Sequence, residues 1–288
     1  MSRELIVSIT YIVVVRSILV QAMSIAKLVK KSVSAVDLFE RGDPHCALAM
    51  SSIRLPFQPT AFPCIGVVDS FEELVTTRFS GEINALCWPR QLAGDFSEIE
   101  RNLPPIEGIT TLDEDDLQSL PLEPAGQLAR KTLLRDQHLL SSAGLQPSLD
   151  LVPSGEPDLG QGPIRTDVAD WHVDSATVET DTYLCSYYGA TTDGVVNEDA
   201  FCHPDVPATR EALRQIYGGK DNAGFAQFLT EKFYDLHYGL KADARIYSFG
   251  IGHLWRIATQ YPGSPVSPCI HRAPTTGSDQ PRRLLLIS

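Results

Sequence analysis

The sequence predicts an α+β fold, and three observations carry that prediction. Apolar residues recur at helical spacing in the first half of the chain, around 25–39 and 126–140. The second half is dominated by runs rich in β-branched and aromatic residues, bounded by Gly, Pro and Thr. One helical stretch, 207–240, interrupts those runs, and the chain carries no internal repeat or low-complexity tract. With 288 residues, 43% of them apolar and 21% charged, the composition is that of a globular protein able to bury a full core. The chain reads as one domain over 23–288, its catalytic sheet mainly over 149–288, after an apolar extension over 1–22.

Leu5 to Ala22 is apolar, but Glu4 flanks it and Arg16 breaks it, leaving less than the about 20 apolar residues a membrane helix needs. The clean run Leu5 to Val15, followed by Val20-Gln21-Ala22, resembles the apolar core and cleavage site of a signal peptide; a translation start at Met23 is the alternative. Ile25, Leu28, Val29, Val33, Val36 and Phe39 are spaced for a short amphipathic helix. Cys64 to Val68 reads as a strand and Ser70 as the cap of a helix through Leu74. Ile83 to Trp88 is a buried strand stopped by Pro89, and 90–96 opens a polar helical stretch. Thr111 caps a helix whose first turn holds Asp113, Glu114, Asp115 and Asp116, acids that the helix dipole favours there. The same acids lack the Gly and closing Glu of an EF-hand loop and read as a solvated helix start.

Gly126 to Leu140 is a helix, with Leu128, Leu133, Leu134, Leu139 and Leu140 approximating one face. Leu149 to Val152 and Thr180 to Gly189 are strands, the second a core strand. Ala200 to Pro207 is a loop carrying His203 and Asp205, and helices follow over Thr209 to Tyr217 and Ala223 to Tyr238. Arg245 to Gly250 and Leu254 to Ala258 are strands, Val266 to Ile270 leads into His271, and Arg283 to Ile287 is the last strand.

A net charge of −12 argues against nucleic acid as a partner, since a phosphate-binding surface is basic, and disfavours anionic membranes. The six cysteines, Cys46, Cys64, Cys87, Cys185, Cys202 and Cys269, form no C-x-x-C pair and read as buried free thiols in a reducing compartment. The expected location is therefore cytoplasmic, or exported if 1–22 is a genuine signal peptide. Gly-rich phosphate loops, G-x-S-x-G and dinucleotide fingerprints are absent.

The chemistry centres on Trp171-His172-Val173-Asp174. On a strand His172 and Asp174 project from one face, which supplies two ligands of a 2-His-1-carboxylate facial triad. His271, 97 residues after Asp174, is the natural third ligand, and Arg282 and Arg283 follow at the start of a terminal apolar strand. This arrangement of H-x-D, distal His and terminal Arg resembles the 2-oxoglutarate/Fe(II)-dependent dioxygenase superfamily. From Trp171 to Ser288 the chain is also similar to a bacterial family of unknown function with His-x-Asp, a Tyr-Gly strand, His-Arg-Ser-Pro and Arg-Leu-Leu-Leu. Here the third signature is His271-Arg272-Ala273-Pro274, so Ala273 departs from it. The first 150 residues resemble that family only around Cys87-Trp88-Pro89-Arg90.

The resemblance implies a double-stranded β-helix, a jelly-roll or cupin-like core with N-terminal helices and the 207–240 insertion. It implies Fe(II) held by His172, Asp174 and His271, with 2-oxoglutarate and O2 as cosubstrates and an unidentified small-molecule or amino-acid-like substrate. Arg283, or alternatively Arg282, would grip the cosubstrate's distal carboxylate; alternation allows only one to face inward. Halogenases of the superfamily lack the carboxylate ligand, so Asp174 points to hydroxylation or a related oxidation. Two alternatives use the same ligands: a non-enzymatic metal-binding cupin-like protein, and a zinc-dependent hydrolase, which needs a general base near the metal-bound water.

His203 with Asp205 reads as a solvated loop, His237 and His253 as hydrogen-bonded structural residues, and Arg256 as half of a structural ion pair. Arg272 points away from the metal by alternation. A Cys269–His271 nucleophile lacks an orienting Asn or Asp.

Overall fold

A computed structural model of the chain describes residues 53–55, 57–105, 107–155, 162–165, 167–232 and 237–288. The expectations for 1–22 and for a helix over 25–39 lie outside the described residues. The strands are β1 (Ile53–Leu55), β2 (Ile65–Val67), β3 (Ala85–Trp88), β4 (Thr110–Leu112), β5 (Ser148–Val152), β6 (Asp181–Tyr188) and β7 (Asp193–Val195). They continue with β8 (Ala200–Cys202), β9 (Tyr238–Leu240), β10 (Arg245–Ser248), β11 (Leu254–Ala258), β12 (Ile270–Arg272) and β13 (Arg283–Ile287). The helices are α1 (Phe71–Thr76), α2 (Phe96–Asn102), α3 (Glu114–Gln118), α4 (Pro124–Ser142), α5 (Pro207–Tyr217) and α6 (Ala223–Lys232). The result is a mixed α/β structure with a large sheet and several helices, and the described strands close no barrel.

Seven strands form the large sheet in the order β2-β3-β11-β6-β13-β5-β4, four form a second sheet in the order β1-β10-β7-β12, and β8 pairs with β9. Alternation along the strands sorts the core. Tyr183, Cys185, Tyr187, Leu284 and Leu286 pack outward against Ile99, Leu117, Leu133 and Leu140 of the helices. Leu184, Trp255 and Ile257 pack inward with Tyr247, Phe249 and Cys269 from the four-stranded side, joined by the partly buried Leu285. The space between the two sheets is thus a mixed apolar and polar interior, and Arg283 opens β13 on the same face as Leu285.

Several boundaries differ from the sequence reading for identifiable reasons. Residues 90–95 are not helical: Gly94 has φ of 116° and Asp95 caps α2 by accepting from Ser97 and Glu98 N–H. Thr110–Leu112 pairs with β5, so the cap of the acidic helix is Asp113, in a reciprocal capping box with Asp116. Leu128 is exposed, and the buried stripe of α4 runs instead through Ala129, Leu133, Asp136 and Leu140. Ala200–Cys202 is a strand and His203–Asp205 a 3-10 turn, not a loop, and Tyr238 belongs to β9 instead of a helix. The large sheet also takes in β2, β3 and β4 from before 149.

Asp136 is fully buried on α4 because Arg90 (2.7 Å), Arg135 (3.1 Å) and the Tyr187 hydroxyl (2.7 Å) all meet its carboxylate. Arg256 pairs with Asp181 (2.7 Å) and donates to the carbonyls of Leu74, Val75 and Thr77 at the end of α1. It is the structural ion pair expected of a charged residue in a core strand.

A candidate metal centre between the sheets

The H-x-D motif is an extended segment held by bridges instead of a full strand. His172 exchanges both backbone hydrogen bonds with His271 (3.0 and 2.9 Å), and Asp174 O accepts from Gln260 N–H at 2.7 Å. This pairing brings together residues almost a hundred positions apart. It places the His172 and His271 rings 4.5 Å apart between centroids. Asp174 Oδ1 lies 3.9 Å from His172 Nε2 and 3.7 Å from His271 Nε2. Among the described residues these three form the one cluster of metal-ligand type, with ligand atoms all within 4.8 Å of one another.

Each donor is oriented from behind. His172 Nδ1 faces the Asp170 carbonyl at 2.8 Å and His271 Nδ1 the Cys269 carbonyl at 3.2 Å. A carbonyl can only accept, so each ring carries its proton on Nδ1 and turns the Nε2 lone pair toward Asp174. Burial, and next the neighbouring His271, push His172 down to about 4, so the ring is neutral at pH 7. Burial alone would raise Asp174, but His271, His172 and the Thr182 hydroxyl outweigh it and hold the carboxyl below its usual range. Two imidazoles that present Nε2 and one carboxylate are the donor set a divalent metal requires. Ligands about 2.1 Å from one ion lie about 3 to 3.5 Å apart, so the donors need close only slightly on a metal. The residues fit a borderline divalent ion such as Fe(II) or Zn(II).

The two terminal arginines part company here. Arg282 turns outward: Nε donates to Glu100 Oε1 at 2.6 Å, and the guanidinium also reaches the carbonyls of Glu100, Leu103 and Pro104 on and after α2. Arg283 turns inward, is 5% exposed, and donates from Nε to the Ala190 carbonyl at 3.0 Å. No described carboxylate lies within ion-pair distance of it. Burial without a counter-charge pulls it down to about 10, leaving it still cationic at pH 7. Gly189, at φ 80°, makes this possible: a side chain there would meet the Arg282 carbonyl and the Arg283 Cα and Cγ.

Register extends the layer beyond the motif. Tyr238 N–H donates to Trp171 O, so β9 flanks the motif on the side away from β12, and His203 N–H donates to His237 O. The His237 ring lies 6.1 Å from that of His172 and is buried, and its Nδ1 has no hydrogen-bond partner among the described residues. The expected structural hydrogen bond of His237 is therefore not seen at Nδ1. His253 does behave structurally, stacking on Phe57 at 3.8 Å and accepting from Arg90 N–H. Arg272 faces away from the cluster, over Trp171 and toward Asp193. Cys269 meets the Tyr247 hydroxyl at 3.6 Å, and burial pushes its thiol far up, which leaves no thiolate nucleophile. The five described cysteines are free thiols.

Sequence reasoning missed Thr182, whose hydroxyl donates to Asp174 Oδ2 at 2.5 Å. No helix among the described residues is long and apolar enough to cross a membrane. No protein-family model, curated protein or solved structure matches this chain.

Proposed function

We propose that this protein is a non-haem Fe(II)- and 2-oxoglutarate-dependent oxygenase that hydroxylates a small-molecule substrate. The observation that carries this reading is Arg283. A buried arginine without a carboxylate is costly, and an anionic ligand in the same interior as a His-Asp-His cluster removes that cost. A metal-binding protein without catalysis has no use for such a cation. A zinc hydrolase needs a general base, and the one carboxylate of the cluster is already a ligand.

The strand order supports a double-stranded β-helix. From β5 the chain passes from the large sheet to the H-x-D segment, back to β6, across to β7 and β10, then to β11, β12 and β13, crossing between layers repeatedly. Such alternation between two packed sheets is what the winding of a jelly roll would give.

When bound, Fe(II) with 2-oxoglutarate and O2 supplies the oxidising power for an unactivated C–H bond. The chain's own residues do the rest. His172, Asp174 and His271 would hold one face of the ion and leave the opposite positions open. Asp170 O and Cys269 O keep both imidazoles in the metal-binding tautomer. Arg283 would meet the distal carboxylate of the cosubstrate, with Leu184, Trp255 and Ile257 as apolar neighbours on the inner side of the large sheet. The retained carboxylate of Asp174 favours hydroxylation over halogenation.

Anaerobic titration of the apoprotein with Fe(II) and 2-oxoglutarate tests this. A weak visible charge-transfer band is expected in wild type and absent in His172→Ala. No band in wild type, or an undiminished band in the variant, would sink the reading.

A further inference from the structure

We infer that Thr182 is a positioning residue that confines Asp174 to one metal bond and so keeps a coordination position free. The inference rests on the metal reading above, but it concerns residues outside the ligand set. The two oxygens of Asp174 have different neighbours: Oδ1 faces His172 Nε2 and His271 Nε2 at 3.9 and 3.7 Å, while Oδ2 accepts the Thr182 hydroxyl at 2.5 Å. A carboxylate with one oxygen held this way offers the other singly.

The restraint comes from the opposite layer, so it is independent of the ligands' own backbone. Asp174 belongs to the segment paired with β12, whereas Thr182 stands on β6, the central strand of the large sheet, in register with Ile257 of β11. Thr182 shares the inward face of β6 with Leu184, which fixes the direction of its hydroxyl. Asp174 is further held by its own carbonyl, which accepts from Gln260 N–H. Its side chain, 33% exposed, has room to rotate once Oδ2 is released.

The consequence is stoichiometric. Three single-bond ligands leave three positions of an octahedral ion open, enough for a chelating 2-oxo acid and one more small ligand. Carboxylates chelate metals readily through both oxygens when nothing occupies the second, and a chelating Asp174 would fill one of those positions.

Thr182→Val keeps the shape and strand preference of the side chain and removes the hydroxyl; Thr182→Ser keeps the hydroxyl. Mn(II) affinity, read by the electron paramagnetic resonance of free Mn(II), should stay within about threefold of wild type in Thr182→Ser and move outside that range in Thr182→Val, where the coordination of Asp174 changes. The visible absorption of the Co(II)-loaded protein should change in the valine variant and not in the serine variant. Added 2-oxoglutarate should alter the Co(II) spectrum of wild type and Thr182→Ser more than that of Thr182→Val. Circular dichroism establishes that each variant is folded, and Thr182→Ala replaces the valine variant if that one is not. Valine and wild type alike in Mn(II) affinity and Co(II) spectrum would overturn the inference while leaving the metal reading intact. A wild-type protein that takes up neither ion would overturn both.

Discussion

Arg282 and Arg283 are adjacent in sequence and opposite in setting. Arg282 meets Glu100 and three carbonyls on the helical side of the large sheet, so its charge is fully answered by protein. Arg283 sits on the inner side with one carbonyl and no carboxylate among the described residues. Strand alternation alone separates them. The difference teaches that the large sheet's two faces treat the same charge differently: the outer face answers it with Glu100, and the inner face leaves it buried without a carboxylate among the described residues.

The comparison breaks most visibly if the anion does not depend on the metal. His271→Ala should abolish Mn(II) binding and, with it, detectable 2-oxoglutarate binding in calorimetry, while leaving the Arg282–Glu100 pair and the fold unchanged. Retained cosubstrate binding in that variant would detach Arg283 from the metal centre.

Acid should sharpen the contrast between buried imidazoles that shed their charge and the buried Arg283, which keeps its own. His172 and His237 are both buried and both pushed down to about 4, chiefly by burial. Each is neutral in the folded apoprotein, whereas the unfolded chain protonates them below about pH 6.5. Their contribution is therefore complete above pH 6.5 and is lost as pH falls toward 4, on the order of 3 kcal/mol for each ring. Urea midpoints of the apoprotein should fall across that window, and His237→Gln should flatten the fall.

Smaller and opposite effects separate the arginines themselves. Arg282→Met strands the mostly buried Glu100 and should lower apoprotein stability by about 3 kcal/mol. Arg283→Met removes an unanswered buried cation and should raise apoprotein stability by about 1 kcal/mol. Thermal melts of the two variants check the sign. Destabilisation of similar size in both would mean that Arg283 is simply another structural arginine.

The comparison was half visible in the sequence. Arg283 to Ile287 reads as a strand from its apolar run after Pro281, and alternation requires one arginine to face each way. Only the tertiary placement of Glu100 decides which. The cluster of His172, Asp174 and His271 was legible because H-x-D and the distal His stand out in residue type and spacing. Thr182 was not: it lies in a strand recognised for its Thr and Tyr content, and its partner stands in the other layer. β7 escaped notice because Asp193 and Gly194 are poor strand formers, and β10 and β12 impose the conformation from both sides. Gly194 is needed there, since a side chain would collide with the Tyr247 ring. β8 and β9 are three residues each, too short to show a period. His237 reads as one more histidine near aromatics until register sets it beside His172.

Calorimetric titration of 2-oxoglutarate into the Mn(II)-loaded protein, comparing Arg283→Gln with Arg282→Gln, tests the central claim most directly. Arg283→Gln should weaken cosubstrate binding by about 100-fold, a loss of about 3 kcal/mol for a charge-assisted bidentate contact, with Mn(II) affinity unchanged. Arg282→Gln should bind it as wild type does. Equal affinities in wild type and Arg283→Gln, or a larger loss in Arg282→Gln, would contradict the account.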